Sequence, residues 1–193
     1  MRLSMSEDKR ERLLVAAKTA FARDGLGVAV AAIAREAGIT PGLVHYYFPS
    51  KHALILEVFE RLAGDFAARL PQASGPPVAQ IRGFVQRALA LGADADVEGV
   101  RLWGWLAAEA LHDEAIRGRM AHVTEEWMAR LTQALRRLGT DDPQGLAGAV
   151  VSGVLGAWQL GALAPGVLRA GSAVDAQRRL IESLLATQEV SDG

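Results

Sequence analysis

The chain has no cysteine, which excludes disulfides and thiolate metal sites, and a cytoplasmic location needs no special explanation. Aromatic residues make up only 6% of its 193 positions, and no strand-like alternation of polar and apolar residues is sustained. With alanine, leucine and arginine abundant instead, the expected fold class is all-α. Neither charge sign is in large excess. The net charge of −1 argues against a protein that coats nucleic acid indiscriminately. The first ten residues are charged and lack the apolar stretch of a secretion signal. No Gly-x-Ser-x-Gly elbow, phosphate loop or nucleotide fingerprint occurs, and His112 and His122, ten apart, belong to no ligand pattern. No catalytic residue, cofactor or metal is therefore expected.

What charge there is, is unevenly placed. Residues 1–55 hold eight Lys/Arg against five Asp/Glu, a net +3, and the remainder carries −4. A modestly basic head on an acidic body suits contact with DNA through one end only. Gln144 to Leu168 is a run without charge, long enough to span a bilayer. It is rich in glycine and alanine, includes Gln159 and Pro165, and has no basic flank on its N-terminal side. A helix buried in a subunit interface is the better reading, and no membrane association is expected.

Helical periodicity and stop signals divide the chain. The first helix is expected from near Ser6, with Leu13, Leu14, Ala17, Ala20 and Phe21 on one apolar face and Gly25 as its stop. A short second helix is expected over Val30 to Ala37, with Ile33, Ala34 and Ala37 turned inward. Gly38 then supplies a left-handed turn, Thr40 a cap, and Pro41 the first position of a third helix. Pro49 ends that helix, and Ser50 caps a long fourth one over about 51–70. The loop Pro71 to Pro77 is the natural domain boundary. Further helices are expected near 77–92, 96–111, 113–138, 143–163 and 172–188, with Asp113 capping one of them.

Residues 26–51 carry the functional signal. Val44 and Phe48, four apart, face the core with Ile39. Thr40, Pro41, Gly42, His45 and Tyr46 are left pointing outward, with Leu43 and Tyr47 at the margin. An ordinary helical corner is the bland alternative. A core corner, however, does not place hydroxyls, a histidine and Lys51 in one cluster beside an open helix end. Pro41 and Gly42 remove bulk where a backbone would approach a groove wall. Thr40, Tyr46 and Tyr47 offer hydroxyls to phosphate oxygens, Lys51 a charge, Leu43 an apolar contact for a thymine methyl, and His45 a donor for a base edge or a phosphate. The helix is about eight residues, or roughly 12 Å, and fits a major groove.

The run Ile33-Ala34-x-x-Ala37-Gly38-Ile39-Thr40-x-Gly42-x-Val44-x-x-Tyr47-Phe48-x-Ser50-Lys51-x-x-Leu54 is similar to the DNA-binding signature of the TetR family of bacterial transcriptional repressors. The resemblance covers residues 8–60. It implies a homodimer with one helix-turn-helix per subunit, on residues 1–55, and an effector-binding and dimerisation domain on 71–193. By position, the family's DNA contacts fall on Thr40, Pro41, Gly42, Leu43, His45, Tyr46, Tyr47 and Lys51. His45 stands where the family commonly has tyrosine. Val28-Ala29 stands where it commonly has a capping Thr or Ser, which forfeits about 1 kcal/mol.

In the body, 143–163 is apolar around most of its circumference, and 172–188 carries a stripe of Val174, Leu180, Ile181, Leu184 and Leu185. The resemblance implies that these helices pair with their symmetry mates, placing Gly148, Ser152, Gly156, Leu180 and Leu184 in the interface. An alternative confines both helices to the monomer core. Phe84, Trp103, Trp105, Glu109, Met120 and Trp127 are the candidates for an effector cavity, against the plainer reading that such stripes are core. The stretch 102–114 also resembles the C-terminal domain of the betaine-pathway, choline-responsive repressors. Tryptophan faces near a carboxylate would suit an organic cation. The expected function is thus a repressor released from a palindromic operator by a small hydrophobic or cationic effector. The alternatives are a helical interaction module and a small helical enzyme, neither with DNA-binding activity.

Overall fold

The structure is a computed structural model that describes residues 5–68, 74–89 and 96–163, together with Arg179 and Ser183. Among these residues there are eight helices and no strand: α1 Met5–Asp24, α2 Val30–Glu36, α3 Pro41–Tyr47, α4 Lys51–Ala68, α5 Pro77–Ala88, α6 Val97–Glu109, α7 Glu114–Arg137 and α8 Pro143–Leu163. The all-α expectation holds. The expected helix at 172–188 lies outside the described residues.

The stop signals act where the sequence puts them. Gly25 has φ +82° and Gly38 φ +67°, left-handed conformations that an L side chain rarely adopts, so these two residues turn the chain out of α1 and from α2 into α3. Capping is less uniform. The Ala53 N–H donates to Ser50 Oγ at 3.0 Å, starting α4, and the Ile116 N–H donates to Asp113 Oδ1 at 3.0 Å, starting α7. Thr40 differs: its backbone takes the extended N-cap conformation and Pro41 follows, but its hydroxyl makes no capping bond. Ala29 heads α2 with no side-chain cap, as its chemistry requires.

The described residues form two compact units. One contains the chain up to Asp65 together with Val97–Arg117. Its core is Leu13, Leu14, Ala17 and Phe21 of α1, Ile33 of α2, Val44 of α3, Leu54, Val58 and Phe59 of α4, and Leu102 and Leu106 of α6, all nearly or fully buried. In this unit α1 packs on α2 and α6, and α2 on α3. Two ion pairs fasten α1 to α4: Arg10 to Glu57 at 2.6 Å, and Glu11 to Arg61. The Arg61 hydrogen bond holds the Glu11 carboxyl below its ordinary pKa. Arg23 bridges Asp24 and Glu36, joining the end of α1 to the end of α2.

The other unit runs from Phe66 to Asp96 and from Gly118 onward. Four rings meet there: Phe66 lies with its centroid 4.8 Å from that of Trp127 and 6.0 Å from that of Trp158, and Phe84 lies 5.9 Å from both Phe66 and Trp127. The Trp158 Nε1–H donates to the Ala88 carbonyl at 2.6 Å, which fastens α8 to α5. In α8, Ala147, Val150, Val151 and Val154 are buried, while Ala149, Ser152, Gly156 and Leu160 are exposed. No helix among the described residues is long and apolar enough to cross a membrane.

Candidate nucleic-acid interface

α3 presents the face the sequence predicts. Val44 and Phe48 are buried, while Thr40, Pro41, Gly42, His45 and Tyr46 are exposed, with Leu43 and Tyr47 half-buried between them. Tyr46 is 77% exposed, an unusual position for an aromatic ring with nothing to cover it. Its ring meets Tyr47 edge-on at 5.3 Å, so the two hydroxyl-bearing side chains brace one another. A Cβ on Gly42 would meet nothing within 4 Å, so the surface there is open. Lys51 follows at the first turn of α4, half-buried, with no ion pair among the described residues. One surface thus carries hydroxyls, a histidine and an uncompensated cation around a seven-residue helix.

A second tie reaches the start of α4. His52 Nε2 lies 2.7 Å from Asp113 Oδ2, so the residue after Lys51 is joined to the turn between α6 and α7. The Asp113 carboxyl is held below its ordinary pKa first by the Ile116 N–H and then by His52. A depressed carboxyl pKa contributes stability that is present above the unfolded value and lost as pH falls through the folded one. Asp113→Asn can still cap α7 but removes the charge. The wild type should therefore melt above D113N at pH 6, the gap closing as pH falls below about 3.9. Melting curves from pH 6 to pH 3 check this, and a gap that is constant over that range contradicts it.

The other predicted residues separate. Phe84 and Trp127 are buried in the four-ring cluster of the second unit, and Met120 is half-buried there on α7. Trp103, Trp105 and Glu109 belong to the first unit. Trp103 is 5% exposed with its ring centroid 5.9 Å from Phe59, and Glu109 is exposed. Trp105 is half-exposed and lies over the α1–α2 turn, where its ring would stand 3.4 Å from a Cβ on Gly25. Phe66, which the sequence reading does not single out, is central to the ring cluster. Its signal is a helical stripe with Ile55, Phe59 and Leu62.

Of the interface candidates, Ser152 and Gly156 lie on the open face of α8. Gly148 is half-buried, and a Cβ there would meet Met128 of its own chain at 3.8 Å. Leu180 and Leu184 lie outside the described residues.

Two family models match the chain. One, described as bacterial regulatory proteins of the tetR family, covers residues 13–58, which include the whole of α2 and α3. The other, described as the C-terminal domain of BetI-type transcriptional repressors, covers residues 77–186, more than half of the chain. The chain belongs to the TetR family, with a BetI-type C-terminal domain. The regulator is 26% identical over 179 residues to the HTH-type transcriptional regulator BetI of Vibrio vulnificus, covering 89% of this chain and 90% of that one. Among solved structures it is similar to a transcriptional regulator from a Rhodococcus species, with a TM-score of 0.80 at 21% identity over 92% of this chain and 96% of that one. It is also similar to a transcriptional regulator from Saccharomonospora viridis solved in complex with choline, with a TM-score of 0.75 at 23% identity over 94% and 97%. These likenesses are to transcriptional regulators and not to enzymes, and the readings without DNA-binding activity are not favoured.

Proposed function

We propose that this regulator is a cytoplasmic homodimeric repressor that holds a palindromic operator with one α3 per subunit and releases it when a small effector binds. Residues 1–55 serve as the DNA-binding head, the long helix α4 as the connection, and 71–193 as the effector-binding and dimerisation domain. The observation that carries this reading is the exposed face of α3, with bare Tyr46, His45, Gly42 and Thr40 beside Lys51. Thr40, whose hydroxyl makes no capping bond, and Lys51 meet phosphates, with Tyr47 at the margin. Pro41 and Gly42 admit the groove wall, Leu43 and His45 face base edges, and Tyr46 offers its hydroxyl to a phosphate. Two such helices enter major grooves on one side of the duplex, about 34–36 Å apart for half-sites on adjacent turns and further apart for wider spacings.

For the effector we favour an organic cation. The Saccharomonospora regulator was solved with choline, and the ring cluster of the second unit, with Phe84 and Trp127, is the aromatic surface of this chain that would suit a quaternary ammonium. Met120 belongs to the same unit, whereas the other candidates, Trp103, Trp105 and Glu109, belong to the unit that carries α3. Coupling of about 1–3 kcal/mol between the sites gives a graded response, and near-complete switching needs about 5.5 kcal/mol.

The test is a gel shift of wild type and Lys51→Ala on palindromic genomic fragments. Wild type should give a salt-sensitive band. Lys51→Ala should weaken it on every sequence and lower the salt slope by about one. Choline should release the band and change tryptophan fluorescence. Absence of any specific band sinks the reading, and a band indifferent to choline and to a hydrophobic cation sinks the effector part alone.

A further inference from the structure

Arg10 sits where three elements meet. Its Nη2 donates to Glu57 Oε1 of α4 at 2.6 Å, and its Cζ stands 5.2 Å from the centroid of the Phe48 ring. Phe48 is the residue on which α3 ends: its N–H donates to the Val44 carbonyl at 2.8 Å, and it is 4% exposed. A guanidinium is flat and carries its donors at the edge, so it can stack on a ring and pair with a carboxylate together. Arg10 does both. One residue along, Glu11 pairs with Arg61 and also joins α1 to α4, without the Phe48 contact. The α1–α4 tie is therefore duplicated, whereas the stack on the residue that caps the recognition helix belongs to Arg10.

We propose that Arg10 is a positioning residue for operator recognition: Glu57 holds its guanidinium, and the guanidinium fixes the pitch of α3 through Phe48. The inference rests on the operator-binding reading above. Groove-facing side chains seven residues or fewer from Phe48 move when that ring moves, and small misplacements of base contacts weaken discrimination more than phosphate attraction. Arg10 acts through the protein, so its loss leaves the number of phosphate contacts unchanged.

Arg10→Met keeps the aliphatic stem and removes both interactions, Glu57→Gln loosens the anchor alone, and Glu11→Gln removes the neighbouring bridge without touching the stack. Binding to the operator and to a scrambled duplex is measured across salt concentrations, well below each melting midpoint. R10M should lower the ratio of specific to non-specific affinity about tenfold with an unchanged salt slope. E57Q should lower it less, and E11Q should leave it as in wild type. If R10M does not fold, E57Q against E11Q carries the comparison. A salt slope reduced by about one in R10M would make Arg10 a phosphate contact and overturn the proposal. So would an equal loss in E11Q, or a lowered melting midpoint with unchanged discrimination. Wild type that binds no palindrome refutes the operator reading itself, whereas wild-type binding with undiminished selectivity in R10M refutes this inference alone.

Discussion

Gly156→Glu is expected to yield a folded monomer that no longer holds its operator. The monomer tolerates the change: Gly156 is exposed on α8, and a Cβ there would meet nothing within 4 Å. Any residue other than proline in place of a mid-helix glycine also favours the helix, by up to about 1 kcal/mol. The proposed dimer, paired through α8, would not tolerate it. One face of α8 is covered by its own chain through Ala147, Val150, Val151 and Val154, while Ala149, Ser152, Gly156 and the half-exposed Leu160 are left bare. In that proposed dimer, a two-fold axis through the bare face would bring the two new carboxylates together out of water, at an effective penalty of several kcal/mol per ion. Without the partner, operator binding loses its second attachment, an effect of about 10²–10⁴ in affinity. Light scattering should report the monomer mass, and the gel shift should vanish. Gly156→Ala serves as the control that keeps both. A dimer mass retained in G156E would place the interface elsewhere.

Phe59→Ala should be among the most damaging single truncations in the unit that carries α3. Phe59 is fully buried on α4, and its ring lies 5.9 Å from that of Trp103 on α6. Removing it takes away the transfer energy of a large ring and leaves a cavity between helices that cannot fully close. The expected loss is about 3–5 kcal/mol. Against a total stability of about 5–15 kcal/mol this is a large fraction. The melting midpoint should fall by roughly 6–20 °C, followed by tryptophan emission, to which Trp103 contributes. A loss below about 1 kcal/mol would mean that the site collapses around the gap, contrary to the packing described.

Much of the head is legible in sequence because its signals are local. Gly25 and Gly38 stop and turn the chain through their own backbone freedom, and both have the positive φ expected. Pro41 heads α3, and Ser50 and Asp113 cap helices three residues ahead, within reach whatever the rest of the molecule does. The outward set on α3 follows from the period of a helix once Val44 and Phe48 are assigned inward. Thr40 marks the limit even of local reasoning. Residue type and backbone conformation both suit a cap, yet the hydroxyl makes no such bond.

The body was less legible. Aromatic residues at helical spacing announce burial, but spacing on one helix does not name the neighbour. Phe84 and Trp127 do meet, directly and beside Phe66, while Trp103 meets Phe59, and Trp105 lies on the turn at Gly25. The same holds for charge. A count of lysines and arginines gives a basic head but not that Arg10 is committed to Glu57 and Phe48, Arg61 to Glu11, and Arg23 to Asp24 and Glu36, whereas Lys51 is uncommitted among the described residues.

The sequence by itself determined the all-helical class, the turn at Gly38, the side of α3 that faces outward and the family to which the chain belongs. Each depends on interactions within a few residues, where covalent geometry fixes what can meet. Only the tertiary structure decided that α6 packs on α1, that His52 is tied to Asp113 and that Arg10 braces the end of α3. Those contacts join residues separated by tens of positions along the chain. Chain entropy makes each long closure unfavourable on its own, so the closures form together with the rest of the core and not from a pattern any one segment carries.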